Sequence, residues 1–337
     1  MSETNSARLD PAALESCRDV FGRHFPWDTT RALELALLKT FCIPSISGLL
    51  HQTGEFEHRP RKRYDNTALM VAELVRLGPD SPEGRQVVQR LNAIHAHFAI
   101  GQQDFVYVLS GFVAEPIHWI NRYGWRPLRQ EEKESLFLFW DHVGSLMNIE
   151  ARPSSLQRML DFNDEASREM FSTASSNEQV ANATVNMLLE AWPRPLHAVV
   201  RSSVRSLLDP ETLKSLNWLP ASPWQIQAIR VSLRLRGWLL SGFRRFWVPK
   251  RRRFFSECPT KTYGVDFQLQ QVGPPSLLPR LNKSFEWPCP KASSIVLSPF
   301  SLVTVAFRGL FGSLQCSVEL GCCDCSRRLQ HDRQPGW

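Results

Sequence analysis

The sequence predicts an all-α fold, and two observations carry that expectation. Segments of helix-forming residues, begun by capping side chains or Pro and closed by Pro or Gly, follow one another nearly throughout. The period-2 alternation of half-buried strands is scarce before residue 260. With 337 residues and 43% hydrophobic content, the chain is long enough for one large globular domain or two ordinary ones.

Taken in order, "TTRALELALLKTF" offers a Thr N-cap and is expected to stop at Pro44. "DNTALMVAELVRL" is expected to start at a capping Asp65 and to end at Gly78-Pro79. "SPEGRQVVQRLNAIHAHFAI" has Ser81 at the N-cap, Pro82 at the first helical position and Glu83 in the first turn, and is expected to run from Pro82 to Ile100. "DFVYVLSGFVAEPIHWI" is apolar on most sides, which predicts an interior helix bent or ended near Pro116. "RQEEKESLFLFWDHVGSLM" has an acidic start and an apolar body. Further helices are expected over residues 154–170, 178–191, 196–208 and 223–246. After about Pro275 no sustained period remains, and apolar patches mix with Pro, Ser and Cys. The expected organisation is therefore a helical domain over residues 1–275 and an irregular tail over 276–337.

The net charge of +7 is concentrated. Arg244, Arg245, Lys250, Arg251, Arg252 and Arg253 lie close together with no acid among them, and the rest of the chain is nearly neutral. Whole-chain basicity is thus no argument for nucleic acid, and no nucleic-acid partner is expected. The cluster could make a peripheral contact with an anionic membrane surface, or be a solvated patch after a helix. Five of the eight Cys (Cys289, Cys316, Cys322, Cys323, Cys325) fall in the tail without the paired C-x-x-C grammar of a zinc site. The first thirty residues hold acids and no apolar core of a leader peptide, and no uninterrupted apolar run reaches the ~18 residues of a membrane span. An intracellular protein, cytoplasmic or associated with the endoplasmic reticulum and without disulfides, is expected.

The chemistry centres on a histidine. Wound at about 100° per residue, the segment from Pro82 places Val87, Leu91, Ile94 and Phe98 on one stripe, with His95 at its margin and His97 pointing away. A buried imidazole needs partners for both ring nitrogens. Periodicity leaves two readings: a core histidine bonded to a carbonyl or carboxylate, or a metal ligand. One helical His is too few for a structural zinc but sufficient for haem, whose macrocycle supplies four nitrogens. Arg63 and Thr67, four apart, share a helix face or its entry. They could hydrogen-bond dioxygen or a haem propionate, or be an ordinary surface ion pair and a helix-start residue. Glu55 and Glu57 are candidate bases. Trp119, Arg122, Tyr123 and Trp125 form an aromatic–basic turn that could border a cofactor or simply pack. His118 and His142 are alternative ligands.

"HFPWDTTRALELALLKTFCIPSISGLLHQTGEF", "RPRKRYDNT", "RLNAIHAHF", "DFVYVLSGFVAEPIHWINRYGWRPL", "SLFLFWDHVGSLMNI" and "TYGVDFQLQQVGPP" together resemble one family in order and spacing, over roughly residues 20 to 275. It is the mpaB-type endoplasmic-reticulum oxygenase and rubber oxygenase (latex-clearing protein) catalytic domain. The resemblance implies a globin-like multi-helix fold that binds haem b, an iron-dependent oxidoreductase. The family's proximal pattern R-x-x-x-(I/M)-H matches Arg90 and Ile94-His95, which implies His95 as iron ligand. Its distal R-x-x-x-T matches Arg63 and Thr67, implied catalytic residues, with Arg63 also at the cofactor; Arg122 of the aromatic–basic turn is a further candidate for the cofactor. Rubber-cleaving members carry Lys where this chain has Asn66, and Arg where it has Ala99. The implied substrate is therefore an isoprenoid or other hydrophobic small molecule, not polyisoprene, cleaved at a C=C bond with dioxygen. Many mpaB-type members begin with a membrane-anchoring helix, and none is found here. The alternative is a non-catalytic haem-binding or helical interaction protein that keeps the fold.

Overall fold

A computed structural model describes residues 8–244, 248–264 and 267–273. Among them every regular element is helical, as expected. The helices are α1 (Pro11–Asp19), α2 (Pro26–Thr40), α3 (Pro44–Thr53), α4 (Glu55–His58), α5 (Pro60–Leu77), α6 (Pro82–His95), α7 (Gln102–Tyr123), α8 (Gln130–Leu146), α9 (Leu156–Glu169), α10 (Ser175–Leu189), α11 (His197–Leu207), α12 (Pro210–Ser215) and α13 (Pro223–Arg244). A wide π turn, Val20–His24, joins α1 to α2. The tail expected over 276–337, with its Cys residues, and Arg245 of the basic cluster lie outside the described residues.

Proline starts most of these helices rather than stopping them. Its fixed φ suits the first turn, where its missing N–H is not needed. So Pro44 begins α3 after the three-residue link Phe41–Ile43, and α2 begins at Pro26, not at a capping Thr. Thr29 and Thr30 instead turn their hydroxyls back onto the carbonyls of Phe25 and Pro26. Likewise Pro60 starts α5, which puts Asp65 in the helix body rather than at its cap. Pro116 neither ends nor breaks α7, which runs through it. Packing on several sides holds that helix together: α2, α8, α9 and α13 all lie against it, and Val113, Ala114 and Ile120 are fully buried.

Two ion pairs lock this core. Lys39 Nζ sits 2.6 Å from Glu115, joining α2 to α7. Asp28, buried on α2, accepts from Trp119 Nε1 of α7 at 3.1 Å and from Arg236 of α13 at 3.0 Å. A second apolar centre gathers Leu38, Phe41, Phe56, Val180, Val185, Leu213 and Leu216 from α2, α4, α10, α12 and the residues just after α2 and α12. Among the described residues no single helix is long and apolar enough to cross a membrane.

After α13 the chain returns to the start of the fold. Arg252 reaches Asp19 at 2.6 Å and Glu15 at 2.8 Å, while Arg244 donates to the carbonyls of Arg23 and His24. Two members of the basic cluster are thus structural anchors; Lys250, Arg251 and Arg253 are exposed.

Candidate functional site

The site rests on the hairpin of α5 and α6. The link between them is four residues, opened by Gly78 at φ +79, a backbone conformation that L side chains rarely adopt. Ser81 then caps α6, its Oγ accepting from the Gly84 amide at 2.9 Å. So tight a link makes the helices antiparallel neighbours. Arg63 lies 14 residues before the end of α5 and His95 lies 13 after the start of α6, so both stand at the open end of the hairpin.

Helix α6 ends at His95, five residues short of the expected Ile100. The last turn tightens, with His97 N–H reaching Ile94 O and Phe98 N–H reaching His95 O. His97, exposed, also sets Nδ1 2.7 Å from Ala93 O. The stripe therefore holds for Val87, Leu91 and Ile94, while Phe98 lies beyond the helix.

His95 is half-buried, and its Nδ1 is buried with no hydrogen-bond partner. Its ring meets Phe105 of α7 edge-on at 5.4 Å between centroids. Burial, with the nearby Arg63 guanidinium, lowers its pKa to about 4. The imidazole is therefore neutral near pH 7, which is the form that binds a metal. The core-histidine reading expected a carbonyl or carboxylate partner, and among the described residues Nδ1 has none.

Arg63 donates from Nη1 to Thr67 Oγ1, and its guanidinium lies 5.2 Å above the ring of the fully buried Phe56. Burial pushes its pKa below the ordinary arginine value, against the opposing charge of Glu55. His95, Arg63 and Thr67 are thus brought together, with Phe56 and Phe105 beside them. The two aromatics carried no sequence signal for this place, because α4 is a single turn and α7 is apolar on nearly every side.

Of the other candidates, Glu55 lies near Arg63 and the rest lie elsewhere. Arg122 is exposed near the C-terminus of α7, 17 residues and hence ~26 Å along the helix from Phe105. Its neighbours form a packed turn: Trp119 is bonded to Asp28, and Trp125 donates to His24 O at 3.1 Å while stacking on Phe25. His118 is exposed. His142 is buried, with Nε2 2.9 Å from Asp80. Glu55 pairs with Arg59, and Glu57 with His51 at 2.8 Å. Among the described residues no group of three or more His, Cys, Asp or Glu could hold a metal unaided.

The segment 260–273 seats itself on both hairpin helices. Thr262 donates to Asp65, and Tyr263 OH to Asn66 Oδ1 at 2.6 Å. Arg90 Nε donates to Val272 O at 3.1 Å. Asn66 precedes Thr67, and Arg90 lies little more than a turn before His95, so these contacts brace both helices that carry the site. Arg90, part of the expected proximal pattern, has this bracing contact.

A family model described as ER-bound oxygenase mpaB/B'/Rubber oxygenase, catalytic domain, matches residues 31–241. The chain is 26% identical over 233 residues to the ER-bound oxygenase mpaB of Penicillium roqueforti (strain FM164), covering 64% of this chain and 78% of that protein. It is 25% identical over 240 residues to the ER-bound oxygenase mpaB' of Penicillium brevicompactum, covering 66% and 56%. To the ER-bound oxygenase mpaB of the same species it is 29% identical over 154 residues, covering 44% and 39%. The matched region runs from α2 almost to the end of α13 and so contains Arg63, Thr67 and His95 within one fold. This chain belongs to the family of ER-bound mpaB/B' oxygenases and rubber oxygenases.

Proposed function

We propose that the protein is a haem b-dependent oxygenase of globin-like fold that cleaves a C=C bond of an isoprenoid or other hydrophobic small molecule with dioxygen. The observation that carries the reading is the His95 imidazole: neutral, half-buried, and with a buried Nδ1 that nothing in the protein satisfies. Such an orphaned nitrogen costs stability, and a partner that reaches Nδ1 itself, a water or a metal, offsets that penalty. Haem b, when bound, supplies an iron centre able to activate dioxygen.

The residues fit the group. His95 would hold its iron. Arg63 and Thr67 form a pre-set pair, the guanidinium holding the hydroxyl. In this reading the guanidinium, with the hydroxyl it holds, would supply hydrogen bonds to a reduced oxygen species. Phe56, Phe105 and the half-buried Leu91 and Ile94 give the surroundings an apolar character suited to a greasy alkene and to excluding water. In the overall change one dioxygen is consumed, the C=C bond breaks, and each new carbonyl takes one oxygen atom. The relatives' names place those proteins at the endoplasmic reticulum, and the same association belongs to this reading.

A pyridine-haemochrome assay on purified protein, followed by oxygen uptake with prenylated substrates, tests the proposal. Stoichiometric haem with substrate-dependent oxygen uptake supports it. Haem without uptake identifies a non-catalytic haem protein, and absence of haem after reconstitution removes the mechanism.

A further inference from the structure

Among the described residues, exposed large apolar side chains gather on α13. Trp224, Val231, Leu235, Trp238 and Leu239 fall at spacings of seven, four, three and one, which winds them into a single stripe. The two Trp are 70% and 69% exposed and bracket a length of ~21 Å along the helix. Soluble surfaces carry isolated apolar residues routinely, but a contiguous stripe with Trp at both ends marks a binding face.

The orientation of that stripe is enforced from the other side of the helix. Arg236 is held by Asp28 and lies 3.7 Å over the Trp27 ring. Gly237 lets α13 press against the carbonyls of Tyr123 and Gly124; a Cβ there would come within 2.8 Å of each. Leu233 is buried. With those positions fixed inward, the stripe faces outward.

Charge selects the occupant. Residues 223–256 contain no Asp or Glu. Arg234 is exposed within the stripe, and Lys250, Arg251 and Arg253 are exposed just beyond the helix. Apolar side chains interleaved with cations, with Trp at the stripe ends, match a bilayer interface, where the acyl boundary takes the apolar groups and anionic headgroups take the guanidinium and ammonium groups. We infer that α13 and the basic residues following it form a peripheral docking surface for an anionic lipid bilayer. The inference does not depend on haem or on catalysis.

The test is co-flotation of the full-length chain with vesicles of phosphatidylcholine alone or mixed with phosphatidylserine, at low and high salt. The expected result is binding to the mixed vesicles that weakens with salt. Trp224→Ser with Trp238→Ser, and separately Arg234→Glu with Arg251→Glu, should each weaken it by about tenfold or more while circular dichroism stays unchanged. Failure of the unaltered protein to float, or undiminished flotation of both folded variants, overturns the inference. So does a dimer on gel filtration that the Trp variant dissociates while vesicles bind neither form, because the occupant is then a second copy.

Discussion

The hydroxyl of Tyr263 donates a 2.6 Å hydrogen bond to Oδ1 of Asn66, joining residues 197 positions apart. Asn66 is buried and immediately precedes Thr67, so this bond ties down the helix that carries Arg63 and Thr67. Tyr263→Phe leaves the Asn66 amide oxygen buried and unpaired. The expected cost is about 1–3 kcal/mol of unfolding free energy, read by denaturant titration, with faster hydrogen exchange confined to residues 260–273 and the facing turns of α5. Unchanged exchange there would show that the bracing is not energetic.

His95→Ala should lose most bound haem. Because Nδ1 has no partner to abandon and its removal relieves an unpaired buried nitrogen, the apo form should lose at most the edge contact with Phe105, about 0.5–1.5 kcal/mol. His97→Ala, on an exposed ring outside the helix, should keep full haem and Soret position. Haem stoichiometry and apo melting temperature of the two variants, measured side by side, decide the assignment; full occupancy in His95→Ala would sink it.

Arg63→Leu and Thr67→Val should retain haem and lose substrate-dependent oxygen uptake, by about 100-fold if each removes one charge-stabilising donor. An empty protein with normal activity per haem would place these residues in cofactor retention instead.

Acid stability should depend on Glu132. Burial alone would raise its carboxyl, but the paired bonds from Arg126, both 2.7 Å, and the Arg129 amide outweigh burial and hold the pKa to about 2. A depressed folded-state pKa gives stability that is present above the ordinary glutamate value and lost as pH falls from there toward 2. The contribution at neutral pH is on the order of 2–3 kcal/mol. Glu132→Gln should therefore melt lower at neutral pH, and its difference from the unaltered protein should shrink between about pH 4.5 and pH 2. A constant difference across that range would refute the assignment.

Much of this was readable in the sequence for identifiable physical reasons. Caps formed by short side chains and Pro are local, so Ser81-Pro82 named the start of α6 correctly, and the longer helices from α8 onward appeared within a few residues of their observed limits. Pro44 and Asp65 misled because each has two local meanings. Pro both stops and starts helices, and Asp both caps a helix and, as here, receives a distant Thr262 hydroxyl. At the site, the stripe beside His95 and the four-residue spacing of Arg63 and Thr67 were legible because both are features of single helices. Phe56, Phe105 and the return of Tyr263 were not, since they are contacts between elements, and no periodicity encodes which distant helix a face will meet. Arg122 looked suited to a cofactor by composition alone; its place at the other end of α7 is a matter of length.

The four-residue link between α5 and α6 also dictates an order of events in time. Arg63 and His95 are both synthesised, and able to meet through a short loop, while the segment that braces their helices is still 167 residues from Thr262. At ~5–20 residues per second that interval is on the order of 8–33 s. A nascent chain therefore presents the half-built site open at its unbraced end long before closure. If the protein binds haem as proposed, ribosome-bound chains arrested before residue 260 should accept it faster than the finished protein does.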